Sequence, residues 1–291
     1  MADLGEGTNK QGFVVGFDVG SDSVHYAVLD SNLGPRGRIH KTGTVVHHGN
    51  PTHAVGKAFN DIIEWLEDGG FSLDNLISTP FTGEGGELIA KKTGCLFKHD
   101  SVTIPLGASM IETGAKYVFH IGAKSPYFFD LEQTIENGDK ISFSPDAGTG
   151  TKCGGGSGIL IEKQMRRLYL KRVLAEDDSS ASDIRDLIFD YAEQEVEAAT
   201  LDIEVGGRCG VVIQSDMIHL QNLKYPVNAI VKGMLNTIAR NYRSDVVRTR
   251  KLKLPSRSKA VFTGGLAKNR FIKDELQRLF GFDLEVPDNF H

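Results

Sequence analysis

Residues 13–30 read FVVGFDVGSDSVHYAVLD, and this stretch decides the fold class. FVVGFD, at 13–18, is a short apolar run ending on a carboxylate, the pattern of a buried strand. A tight turn at Gly20 and Ser21 follows, and VHYAVLD at 24–30 reads as a second strand. A third fits 38–46, RIHKTGTVV, so the chain opens with an antiparallel meander. A helix begins at Pro51 and Thr52. Ala54, Val55, Ala58, Phe59, Ile62, Ile63 and Leu66 recur there at helical spacing, and Gly69 and Gly70 stop it. A strand at 75–81 and a glycine-flanked helix near 84–93 follow.

The same order then restarts. Strands are expected at 116–122 and 126–132 and, after the turn Glu136, Asn137, Gly138, Asp139, at 140–144. A glycine-rich loop, 145–156, leads into a helix at 157–174. A linker at 177–183 precedes a helix at 183–199 with Ser182 or Asp183 as its N-cap. A strand at 209–214, a helix from Pro226 to about Tyr242, a strand at 258–263, a helix at 269–280 ended by Gly281, and a strand at 282–286 complete the chain. The repeat implies an α/β fold of two related halves, 12–115 and 116–291, after a disordered lead-in at 1–11. A ligand cleft between the halves is expected.

Composition narrows the function. The 291 residues carry a formal net charge of -5, which argues against a general nucleic-acid binder. No apolar stretch is long enough to span a membrane, and the polar start MADLGEGTNKQG lacks the apolar core of a signal peptide, so a cytoplasmic location is expected. The three cysteines, Cys95, Cys153 and Cys209, are too sparse for a disulfide framework. Glycine, at 33 residues, is well above its usual share of about 7% and is clustered, as at tight turns or backbone–ligand contacts.

Three glycine turns carry the functional reading. In Gly16-Phe17-Asp18-Val19-Gly20-Ser21, Asp18 could hold hydrated Mg²⁺ beside phosphate while Gly20 and Ser21 present amides to its oxygens; the alternative is an ordinary hairpin. Lys152-Cys153-Gly154-Gly155-Gly156-Ser157-Gly158 opens a helix, whose free amides and dipole suit an anion, although the GxxxxGK[ST] spacing is absent; the alternative is a flexible loop. In Thr263-Gly264-Gly265-Leu266-Ala267-Lys268-Asn269, the glycines would let backbone approach a base or ribose; the alternative is a simple strand–helix turn. Together the three turns point to ATP.

In order and spacing these motifs resemble the ATPase family of 2-hydroxyacyl-CoA dehydratase activators and benzoyl-CoA reductase ATPase subunits. That family lies within the sugar kinase, heat-shock chaperone and actin superfamily. The resemblance spans about residues 12–287 and includes CGVVIQSDMIHLQ at 209–221. It implies an actin-like ATPase fold, two ribonuclease-H-like halves with a nucleotide cleft between them. It also implies a homodimer that binds ATP and Mg²⁺, with one 4Fe–4S cluster bridging the subunits through two cysteines from each. ATP hydrolysis would drive a low-potential electron into an acyl-CoA dehydratase or reductase partner. Cys153 matches one cluster cysteine. Gly20, Ser21, Lys124, Gly154, Gly155, Gly156, Ser157, Gly158, Gly264, Gly265 and Lys268 would contact ATP. Asp18 would hold magnesium and share catalysis with His120.

The sequence departs from the family at named places. Met110 stands at the second cluster cysteine, leaving a dimer with two matched thiolates where a cluster takes four. His120 replaces an acidic residue of the second phosphate motif, and His25 replaces a lysine of the first. The family's C-terminal helix is missing after Val286. These departures keep a second reading open, a non-catalytic nucleotide-binding assembly module. A small-molecule kinase would need a catalytic aspartate that the sequence does not single out. His47, His48 and His53 lack the acidic or thiol partners of a metal site. The basic run RTRKLKLPSRSK at 248–259 reads as a solvated loop able to meet an acidic partner.

Overall fold

The structure, a computed structural model, describes residues 12–30, 38–69, 72–112, 114–124, 126–132, 142–143, 148–149, 157–175, 181–248 and 251–288. The chain divides into two compact units, Met1–Thr103 and Ile104–His291.

In the first unit the expected meander forms from β1 (Phe13–Val19), β2 (Ser23–Asp30) and β3 (Ile39–Val46), with antiparallel registers such as Asp18 opposite His25. Alternation explains it: Phe13, Val15, Phe17 and Val19 all turn to the core while the residues between them stay partly exposed. Helix α1 (Pro51–Asp68) lays Ala54, Ala58, Ile62 and Leu66 into the same core, and the Asn50 side chain caps it by accepting from the His53 amide at 3.2 Å. The strand expected at 75–81 is two short ones, β4 (Leu76–Ser78) and β5 (Phe81–Thr82), both parallel to β1. Pro80 divides them because it has no N–H to give a ladder; its carbonyl instead accepts from the Phe17 amide at 3.0 Å. Helix α2 (Gly86–Thr93) ends on Gly94 in the left-handed region, and Phe97 then makes a parallel bridge to Phe81. Helix α3 (Asp100–Ile111) falls in a stretch to which the sequence assigned no element.

The second unit repeats this order. Strands β6 (Ala115–Ile121) and β7 (Pro126–Glu132) are antiparallel, and the short β8 (Ser142–Phe143) and β9 (Gly148–Thr149) both pair with β7. Helices α4 (Gly158–Ala175), α5 (Ala181–Ala198), α6 (Gly210–Asn222) and α7 (Val227–Asn241) follow, then a π-helical turn over Tyr242–Val247. Strand β10 (Lys259–Thr263) returns parallel to β6, and α8 (Arg270–Phe280) ends on Gly281, again left-handed. Glu285 makes the closing parallel bridge to Val261. Each sheet is therefore ordered third–second–first–fourth, with the fifth position reduced to one bridge.

Three expectations need correction. The strand expected at 209–214 is the start of α6, with Cys209 as its extended N-cap: Ile213 and Met217 are buried one turn apart, so the period of the apolar residues is helical although the valines and isoleucine favour strands. Residues 282–286 supply a bridge and no strand. The helix expected from 183 starts at Ala181, ahead of both proposed cap residues. The turn at 136–139 lies outside the described residues. Among those described, no helix is long and apolar enough to cross a membrane.

Candidate functional site

In each unit, the first strand and the fourth-position strand run parallel and end together. Ligands of α/β sheets gather at such carboxyl ends. In the first unit, β1 brings Asp18 directly beside Thr82 of β5. The strand is fixed by Phe17, whose ring stacks on Phe59 and on Phe81, each at 5.2 Å between centroids. Gly83 follows Thr82 with φ at +83°, and a Cβ there would fall 2.4 Å from Asp18 Oδ1 and 2.4 Å from the Val19 carbonyl. Only glycine lets the carboxyl lie this close to the backbone.

A second carboxylate joins this cluster. Asp100, the first residue of α3, accepts through Oδ1 from the Thr82 hydroxyl at 3.1 Å and from the Gly83 amide at 2.9 Å. The Thr103 hydroxyl lies 2.9 Å from that of Thr82. Burial, and then the negative charge of Asp100, push the Asp18 carboxyl up to about 7. The residue as a whole keeps part of its surface open, while its carboxyl is buried and ionises reluctantly.

The second unit sets a different side chain in the same frame. His120 on β6 stands beside Thr263 of β10, with His120 Nδ1 3.0 Å from Thr263 Oγ1. Gly264 follows with φ at +85°, and a Cβ there would meet the Ile121 carbonyl oxygen at 2.6 Å. The His120 amide donates to the Tyr242 hydroxyl at 3.2 Å, and that hydroxyl donates to the Tyr127 carbonyl at 2.5 Å. Tyr242 is fully buried, and burial drives its hydroxyl well above its ordinary range. So Phe17-Asp18-Val19-Gly20 against Phe81-Thr82-Gly83 is echoed by Phe119-His120-Ile121-Gly122 against Phe262-Thr263-Gly264.

The other residues singled out from the sequence fall as follows. The Gly20 amide is taken by the Ser23 carbonyl at 2.9 Å, so the β1–β2 turn offers Ser21, partly exposed. Ser157 is buried, and the Gly158 amide donates to the Gly122 carbonyl at 3.1 Å. The start of α4 is thus tied to the end of β6. Lys124 and Lys268 are exposed, while Gly265 opens a 3₁₀ turn ahead of α8. Cys153, Gly154, Gly155 and Gly156 lie outside the described residues. His47 bonds the Gly20 carbonyl through Nε2 at 3.2 Å and accepts from the Gly49 amide, and His25 lies between Ser23 and Thr44, so both act as structural histidines.

Asp100, Thr82, Gly83 and Thr103 were missed in the sequence. The one signal able to find Thr82 and Gly83 was the repeated Phe-Thr-Gly at 81–83 and 262–264.

The paired sheets in this order define the class: each unit is a ribonuclease-H-like half, and the chain has the actin-like ATPase fold. Two solved structures share it closely. One is component A of (R)-2-hydroxyglutaryl-CoA dehydratase from Acidaminococcus fermentans, with a TM-score of 0.70 at 18% identity over 96% of this chain and 93% of that one. The other is the activator of 2-hydroxyisocaproyl-CoA dehydratase from Clostridium difficile, solved with bound ADPNP, with a TM-score of 0.67 at 17% identity over 95% of this chain and 88% of that one. No protein-family profile and no curated protein matches the sequence.

Proposed function

We propose that the chain is an ATP-binding, ATP-hydrolysing activator subunit, of the kind that works on an acyl-CoA dehydratase or reductase partner. The observation that carries this reading is the Asp18–Asp100 pair at the carboxyl ends of β1 and β5, beside the Gly20–Ser21 turn. Two carboxylates with threonine hydroxyls are hard oxygen donors and fit magnesium. Asp18 would hold the hydrated ion, which supplies charge neutralisation for the phosphates. The Ser21 hydroxyl would meet phosphate oxygens. Asp100, oriented through one oxygen by Thr82 and Gly83, would take the proton of the attacking water through the other. In the second unit His120, held by Thr263, and Lys124 would serve as phosphate contacts. Gly264, Gly265 and Lys268 would lie against the adenosine, and the loop 152–156 against phosphate.

A 4Fe–4S cluster finds few ligands among the described residues. Cys95 is engaged with the Thr79 hydroxyl at 3.1 Å, Cys209 stands at the start of α6, and Met110 occupies α3. Among the described residues no three metal-ligating side chains come together. The histidine at position 120 favours a second reading, a nucleotide-binding module without turnover, because only one of the two matching strand ends carries a carboxylate.

Steady-state ATP hydrolysis by the full chain tests the proposal. Asp100→Asn should lower turnover by about 10²-fold or more while leaving ATP binding within a few-fold. Binding without any turnover would select the second reading. Turnover only when a hydroxyl acceptor is added would make the chain a small-molecule kinase, for which Asp100 supplies the missing carboxylate.

A further inference from the structure

The basic run at 248–259 is unused by the nucleotide reading, yet it is built rather than merely solvated. Lys251 and Lys253 are exposed, while Leu252 and Leu254 between them pack on the core of the second unit. Tyr117 of β6 donates its hydroxyl to the Lys253 carbonyl at 3.0 Å and so pins the segment. The chain then turns, with the Ser258 amide donating to the Pro255 carbonyl at 3.0 Å, and Arg257 is held at φ +69°. A non-glycine residue in that region costs about 1 kcal/mol or more, a strain that in folded proteins gathers at functional positions.

Arg257 lines a cavity of about 290 Å³ together with Gly114, Lys116, Leu131, Ser256 and Ser258. The cavity lies where β6 and β10 begin, at the strand ends opposite His120 and Thr263. Of its two charged lining residues, Lys116 is paired and, among the described residues, Arg257 is not. Asp130 is taken by Lys116 at 2.5 Å, and Glu112 and Glu285 by Lys259 at 2.5 and 2.9 Å. Arg248, Lys251, Lys253 and Arg257 are all exposed, and none forms an ion pair among the described residues.

We propose that this face docks an acidic, extended protein segment, whose carboxylates pair with Lys251, Lys253 and Arg257, one of them entering the cavity. Charge complementarity argues for an acidic occupant, and the net charge of -5 argues against a long polyanion such as nucleic acid. The alternation Lys251, Lys253 repeats at about 7 Å in extended backbone, the spacing of same-face side chains on a partner strand. The inference does not rest on nucleotide binding.

A fluorescein-labelled peptide of alternating Glu and Ser, titrated against the full chain at about 50 mM salt, tests it by fluorescence polarisation. The triple charge reversal Lys251→Glu, Lys253→Glu, Arg257→Glu should weaken binding about tenfold or more, and carbodiimide should cross-link the peptide to Lys251, Lys253 or Lys116. The same charge change made elsewhere, at Lys57, Lys91 and Lys92, should leave binding within about twofold. Arg257→Gly should raise thermal stability while weakening the peptide, a pair of effects that a purely structural arginine would not produce. Equal loss in both triple variants, no binding by the wild type, or tighter loop-dependent binding of a short oligothymidylate would each overturn the proposal.

Discussion

Folding and the cation binding proposed for Asp18 would pull its proton in opposite directions. Its carboxyl, ordinarily near 3.8, is raised to about 7 by burial and then by Asp100. Without ligand the folded chain therefore keeps a proton that the unfolded chain releases. The stabilisation from this group is complete below about pH 4 and is lost as pH rises through about 7. Asp18→Asn should remove that slope. At pH 8 it should be more stable than wild type by about 2 kcal/mol, a value discounted from the full shift because the residue is partly exposed. Urea unfolding at pH 5 and pH 8 measures this, and parallel curves for the two proteins would contradict it. Magnesium binding requires the ionised form, so affinity for Mg²⁺ with ATP should rise from pH 6 to pH 8 and release protons. Gly83→Ala and Gly264→Ala should each cost about 2–4 kcal/mol, since a Cβ would meet backbone oxygen at 2.4 and 2.6 Å, which differential scanning calorimetry reads as a lowered Tm.

At the scale of elements, Tyr242 on the π-turn joins two strands through one hydroxyl, accepting from the His120 amide and donating to the Tyr127 carbonyl. Tyr242→Phe leaves both groups buried without that partner and should cost about 1–3 kcal/mol, measured by denaturant unfolding. Strands with strict alternation, such as β1 and β2, and helices with a clear apolar stripe and glycine stop, such as α1 and α8, were legible in the sequence. Helix α6 was not, because Val211 and Val212 are β-formers left exposed on a helix that burial of Ile213 and Met217 holds in place. Helix α3 escaped because Pro105 and Gly107 interrupt a segment with no polar face. The carboxylate and glycine that β1 and its turn contribute were visible as a motif. Asp100 was not, since it reaches Asp18 through a sheet register that no local pattern encodes.

For the whole molecule, the two units reuse one strand order and one Phe-Thr-Gly turn but end their first strands on different chemistry, Asp18 in one and His120 in the other. Under the proposed function, that asymmetry would put cation binding with the first unit. Calorimetric titration of the full chain with ATP and Mg²⁺ tests this most directly, comparing wild type with Asp18→Asn and His120→Asn. The account predicts magnesium-dependent ATP binding that weakens about tenfold or more in Asp18→Asn and much less in His120→Asn. Absence of ATP binding in the wild type, or equal affinity in Asp18→Asn, would contradict it.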